Sequence, residues 1–208
     1  MNVLHGNITK GRKYDQVLNG ARQVFLANGF EGASVDDIAR AAGVSKATLY
    51  SYFPDKRLLF SEVVRVECRR QTERAMAKID QNAPAGTVLR AVAAHMVGFV
   101  LSDFAQSVFR ICVGEAERFP ELGHEFYNSG PRAGKQAIAA FLGLAVSRGE
   151  LQIEDIDLAA YQFAELCKAD IFLKRVFGVR ADFTQDEIDR VIDGAVAMFL
   201  ARYGTDGA

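Results

Sequence analysis

Apolar residues recur along this chain three and four positions apart, the spacing of helices, and almost nowhere in the alternation of a strand. The first stripe is Val17, Leu18, Ala21, Val24 and Phe25. It stops at Asn28-Gly29-Phe30, where Gly29 suits the left-handed turn after a helix and Phe30 the apolar contact that accompanies it. A second stripe, Val35, Ile38, Ala39 and Ala42, opens at Ser34 with Asp37 three places on, a capping-box pattern. Gly43 ends it and Ser45 caps a third helix, whose Leu49 and Phe53 lie one turn apart and face inward. Pro54-Asp55 closes that helix, because the residue before a proline leaves the α region. A longer helix follows over about 56–79, with Leu58, Leu59, Val63 and Val66 inward. At ~1.5 Å per residue it is roughly 35 Å long.

The clearest break is Asn82-Ala83-Pro84-Ala85-Gly86. Beyond it the pattern stays helical, over 87–101 and 104–118, with Pro120 in a first-turn position. Asn128-Ser129-Gly130-Pro131 is a further break or kink before a helix that reaches 146. One helix is predicted over 155–177, apolar on more than one face through Leu158, Tyr161, Phe163, Leu166, Ile171, Phe172, Leu173 and Val176. The last helix opens with a capping box, Thr184 to Glu187, and carries Ile188, Val191, Ile192, Ala195 and Phe199 on one stripe. Surfaces of that extent predict a buried partner, with Ala195 in the seam. The class is all-α, with about nine helices: a head over 1–55, then a linker helix and body over 56–208.

Composition narrows this further. Half of the 208 residues are hydrophobic, and there are four prolines and no tryptophan. Residues 1–70 hold 11 Lys/Arg and 7 Asp/Glu, net +4; residues 71–208 hold 14 and 19, net −5. A basic head on an acidic body suits a protein that touches phosphate at one end. Cys68, Cys112 and Cys167 are far apart, which argues for a reducing compartment and against a disulfide framework or a zinc site. The N-terminus lacks a signal-peptide core, and the longest apolar run, 91–101, is interrupted by His95 and too short for a bilayer. The expectation is a cytoplasmic protein with no membrane contact. His5, His95 and His124 are isolated. The stretch Gly130-Pro131-Arg132-Ala133-Gly134-Lys135 is one residue short of a phosphate-binding loop and lacks Ser or Thr after the lysine. No catalytic residue, cofactor or metal is expected.

The two helices around Gly43 form a helix-turn-helix, a motif whose second helix enters a DNA major groove. The run DIARAAGVSKATLYSYFPDKRLLF resembles the DNA-binding segment of TetR-family transcriptional repressors, with Ala47 where many members carry Gly. RICVGEAERFPELGHEFY, in the body, is similar to the branch of that family that includes efflux-pump repressors. The resemblance implies a regulator, not an enzyme, that binds a double-stranded operator as a homodimer and answers to a small apolar or amphipathic effector. Within it, Lys46 suits guanine O6/N7 and Ala47 a thymine methyl. Thr48, Tyr52 and Lys56 suit phosphate, as does Ser34 at its helix N-terminus, and Tyr50 completes the exposed set. Tyr50 and Tyr52 also read as edges of the core. Thr9, Lys10, Arg12 and Lys13 form a basic entry that is either phosphate-binding or merely solvated. For the effector, the body offers His95, Phe99, Cys112, Glu115, Phe126, Tyr161 and Glu165, of which the ionisable members must be paired or serve a ligand if buried. Two rival readings stay open: a regulator controlled by a protein partner, and an all-α enzyme with a vestigial head.

Overall fold

A computed structural model describes residues 11–205, with Arg12 by its backbone alone. In chain order the helices are α1 (Arg12–Gly32), α2 (Val35–Ala42), α3 (Lys46–Tyr52), α4 (Lys56–Met76), α5 (Ala85–Val100) and α6 (Asp103–Gly114). They continue as α7 (Pro120–Tyr127), α8 (Ala133–Ser147), α9 (Ile156–Leu166), α10 (Ile171–Val176) and α11 (Gln185–Tyr203). No strand occurs among the described residues, as the all-α expectation requires. The helices gather into two compact units. Among the described residues, the first joins 11–67 with 107–126, and the second joins 68–106 with 127–205.

The first unit is built on α1. Tyr14, Val17, Leu18, Ala21, Val24 and Phe25 form its buried face. The helix breaks where Gly29 takes a positive φ of 70°, and one more turn runs to Gly32. Gly20 is buried against α2: a Cβ there would stand 2.6 Å from the backbone nitrogen of Ala42. The two helices therefore touch backbone to backbone. Ser34 Oγ accepts from the Asp37 N–H at 3.1 Å and opens α2. Gly43, at φ 64°, ends it: its N–H meets the Arg40 carbonyl, and the Val44 N–H the Ala39 carbonyl at 3.0 Å. Phe25, Phe30, Phe60 and Phe119 pack ring against ring. Around them Arg118 pairs with Glu31, and Arg57 with Asp55 and Glu121. Residues 107–126 thus belong physically with the head. Leu58 is not inward as expected but exposed; Leu59, Phe60, Val63 and Val64 turn the other way into the core.

The second unit packs α5, α8, α9 and α11 around Leu89, Leu142, Phe163, Ile192 and Phe199. A single antiparallel bridge, Leu151 to Gly204, ties the loop after α8 to the end of α11. Where a break or kink was expected, residues 128–132 form a π-turn between α7 and α8. A wider turn accommodates Pro131, which has no N–H to give. The helix expected over 155–177 is two helices, split at 167–170. Asp170 adopts φ 65°, the one positive φ outside glycine among the described residues, and the Ile171 N–H closes a three-residue turn onto the Ala169 carbonyl. Its carboxylate pairs with Lys174 and Arg190. Finally, the stripe Val191, Ile192, Ala195 and Phe199 is no seam between protomers: it is buried in the chain's own core.

Candidate functional site

The third helix is short and its two sides differ completely. Leu49 and, just past its end, Phe53 are each only 2% exposed, which fixes the helix to the head. Ser45 Oγ accepts from the Thr48 N–H at 3.1 Å and lies 2.9 Å from Thr48 Oγ1. Lys46, Ala47 and Tyr50 stand exposed on the opposite side, while Thr48 and Tyr52 are half-buried. The surface of α3 therefore presents a cation, a methyl group and a phenol from one rigid turn.

The charges around that surface are arranged, not loose. Lys46 Nζ is paired with Asp36 on α2. Both side chains are more than half exposed, so the pair is weak and exchangeable for a nucleic-acid acceptor. Ser34 Oγ donates to Asp37 Oδ2 at 2.6 Å, and that bond, with Arg40 beside it, holds the Asp37 carboxyl below its usual range. Tyr52 stands edge-on to Tyr14, centroids 6.0 Å apart, and Phe53 is 5.7 Å from the same ring. The Tyr14 hydroxyl donates to Glu62, which also accepts from Arg65. Burial, with Glu62 as acceptor, pushes the Tyr14 hydroxyl far above its ordinary value.

Lys56 already has partners within the head. Its ammonium donates to the carbonyls of Phe30 at 2.8 Å and Ala33 at 3.2 Å, and lies 4.6 Å from the centroid of the Phe30 ring. It closes the C-terminal end of α1 rather than standing free for phosphate. Thr9 and Lys10 lie outside the described residues, as does the side chain of Arg12; Lys13 is exposed.

The seven effector candidates do not fall into one compact unit. Cys112, Glu115 and Phe126 belong to the first. Cys112 is buried with Sγ 3.7 Å from the Leu122 carbonyl, and Phe126 lies edge-on to Phe109. His95, Phe99, Tyr161 and Glu165 belong to the second. His95 Nε2 meets the Gln71 carbonyl at 3.0 Å, and a carbonyl only accepts, so Nε2 carries the proton. Glu165 is a surface residue paired with Lys168 at 2.6 Å, not a buried acid. The Tyr161 hydroxyl meets that of Tyr127 at 2.8 Å, and Lys135 Nζ sits 5.0 Å from its ring while bonding Asp157. That last bond takes up the lysine of the phosphate-loop look-alike.

Burial pushes the Cys167 thiol up to about 12, so it holds its proton and is inert. Among the described residues no group of His, Cys, Asp and Glu could hold a metal ion. Among the described residues no single helix is long and apolar enough to cross a membrane. An open hollow of about 290 Å³ in the second unit is lined by Leu101, Ser102, Asp103, Arg175, Phe183 and Ile188 among others, none of them an effector candidate. Gly20 was also missed, although its place on the α1 stripe between Val17 and Ala21 was a legible sign of close helix contact.

Residues 17–63 match the profile of bacterial regulatory proteins of the tetR family, and residues 87–205 that of the C-terminal domain of AefR-like transcriptional repressors. The chain is 24% identical over 176 residues to the transcriptional regulator UidR of Escherichia coli K12, covering 84% of this chain and 83% of that protein. It is 36% identical over 58 residues to the repressor AcnR of Corynebacterium efficiens, covering 28% of this chain and 31% of that one. Of solved structures, a TetR-family regulator from Mesorhizobium loti superposes with a TM-score of 0.87 at 25% identity, covering 94% of this chain and 100% of the other. The flavonoid-responsive regulator FrrA superposes with a TM-score of 0.77 at 36% identity, covering 95% and 100%.

Proposed function

The chain belongs to the TetR family of transcriptional regulators, which bind DNA and are not enzymes, and we propose that it is a cytoplasmic repressor released from its operator by a small amphipathic effector. The observation that carries the DNA half is α3 itself: Leu49 anchored, with Lys46, Ala47 and Tyr50 exposed on one capped helix. Lys46 and Ala47 read base edges, and Ser34, Thr48 and Tyr52 position the backbone. Two copies related by a two-fold axis read a palindrome, with recognition helices about 34–36 Å apart. The likeness to FrrA across nearly the whole chain supports an effector of the flavonoid kind, a flat phenol with apolar faces. Its binding favours a state of the dimer in which that spacing is lost.

The test is selection of binding sites from random duplex DNA, followed by titration of the selected duplex with a hydroxylated flavone. A palindrome of two half-sites about one helical turn apart, released by the flavone, is the expected result. Enrichment of no sequence at all sinks the DNA half. A palindrome that no flavone releases sinks the effector half alone.

A further inference from the structure

The helix-turn-helix is electrically balanced. From Ser34 to Tyr52 its charges are Asp36 and Asp37 against Arg40 and Lys46, net zero, on the part of the head that meets a polyanion. Both acids lie in the first turn of α2, and each holds one of the two cations. Arg40 Nη1 donates to Asp37 Oδ1 at 2.8 Å, and Lys46 Nζ is paired with Asp36 across the turn. The cap of α2 rests on Ser34 and Asp37, not on Asp36. An acid anywhere in that first turn favours the helix dipole. What singles out Asp36 is that its carboxylate lies on the ammonium at the start of α3.

An ammonium carries three N–H donors. Lys46 can therefore keep one on Asp36 and offer the others to guanine O6 and N7. Phosphate is different. It lies along the rims of the groove rather than its floor, so an ammonium that swings out to it leaves Asp36 behind. The carboxylate is then unpaired with phosphate charge close by, and that repulsion adds to the lost pair. The base-reading pose keeps the pair and the phosphate-bound pose forfeits it. Both side chains are more than half exposed, so the difference is small, but it acts in one direction.

We propose that Asp36 is a specificity-determining residue: it weakens the hold of Lys46 on phosphate at any sequence and leaves its contact with the base edge in place. The assignment rests on the reading of α3 as the helix that reads bases. Discrimination of this kind comes from a penalty on the wrong complex, not from a new contact in the right one. Non-specific DNA far outnumbers any operator, so the ratio of the two affinities decides occupancy, not either affinity alone.

The experiment is fluorescence anisotropy at low salt with full-length wild type, Asp36→Asn, Lys46→Met and the double variant. The probes are the duplex selected from random DNA and a scrambled duplex of the same composition. Asp36→Asn should bind both more tightly, the scrambled duplex by the larger factor. The ratio of selected to scrambled affinity should fall about two- to fivefold, the weight of one exposed ion pair. In the Lys46→Met background, Asp36→Asn should shift both duplexes by the same factor, because no ammonium is left to release. A ratio that holds or rises in Asp36→Asn overturns the assignment, and so does an equal fall without Lys46. Asp36→Ser, which has no amide to bond a base, should reproduce the fall; a fall confined to the asparagine traces to the new amide and also overturns it. If wild type itself does not distinguish the two duplexes, the base-reading role of α3 falls and the assignment with it.

Discussion

Lys56 Nζ sits on the carbonyls of Phe30 and Ala33, where a cation meets the negative end of α1. Lys56→Met should cost the head about 1–2 kcal/mol in urea unfolding, as two bonds to a charged, half-exposed donor are lost. The slope of DNA affinity against salt should stay as in wild type; a slope one unit shallower would return Lys56 to the phosphate set. Lys46 behaves in the opposite way. Asp36→Asn frees it from its partner, so binding to all duplexes should tighten about three- to tenfold at low salt, with the gain fading as salt rises. Fluorescence anisotropy at two ionic strengths checks both. The sequence revealed which residues α3 exposes, because burial of Leu49 and Phe53 decides that alone. It could not reveal that Lys56 and Lys46 already have partners, because those partners are carbonyls and carboxylates brought close only by folding.

The side-chain caps of α2, α3 and α11 were legible. Ser34, Ser45 and Thr184 all accept from the backbone N–H three residues on, a purely local geometry. The split at 167–170 was not legible, since Cys167, Lys168, Ala169 and Asp170 include no breaker; one of the partners of Asp170 at the turn is Arg190, twenty residues away. The start of α11 carries its own pH dependence. The Arg180 guanidinium first, and then the Thr184 N–H, lower the Glu187 carboxyl to about 2. A depressed acid stabilises the fold above its usual value of 4.5 and loses that contribution as pH falls toward about 2. Protection of the amides in the first turn of α11, taken relative to the intrinsic exchange rate at each pH, should therefore fall over that window in wild type, and much less in Glu187→Gln. Close contact between α1 and α2 gives a sharper test. Gly20→Ala places a methyl 2.6 Å from backbone that cannot yield cheaply, and thermal unfolding should report a loss of about 1–3 kcal/mol. Unchanged stability would mean that α1 and α2 lie farther apart.

For the molecule as a whole, the proposed dimer raises the question of which surface a second copy covers. The apolar stripe of α11 was readable, but the sequence could not say whether it met its own core or a partner, because both bury the same residues. Ala195 is 3% exposed, in the core. The opposite side of α11 leaves Gly194, Ala197 and Ala201 exposed beside Met198, which is 63% exposed, and Leu158 on α9 is 51% exposed. Small residues there allow close approach of another helix. Met198→Glu should give a folded monomer in sedimentation with operator affinity lost. Ala195→Glu should instead unfold the second unit, since an unpaired buried charge costs several kcal/mol. A dimeric Met198→Glu variant with normal operator binding would place the two-fold contact on another face.

The π-turn at 128–132 also has a meaning in chain length. A turn closed from i to i+5 holds one residue more than the same turn of α-helix. The body therefore carries one surplus residue between α7 and α8, and the bulge absorbs it without shifting Ile138, Phe141 and Leu142 from the core. Deleting Pro131 removes the surplus residue together with the missing donor, leaving one regular helix with both flanks still in phase. Deletion of Pro131 is expected to be tolerated in thermal unfolding where a one-residue deletion inside α5 or α11 is not, and a relative shorter by one residue should align with its gap at this turn.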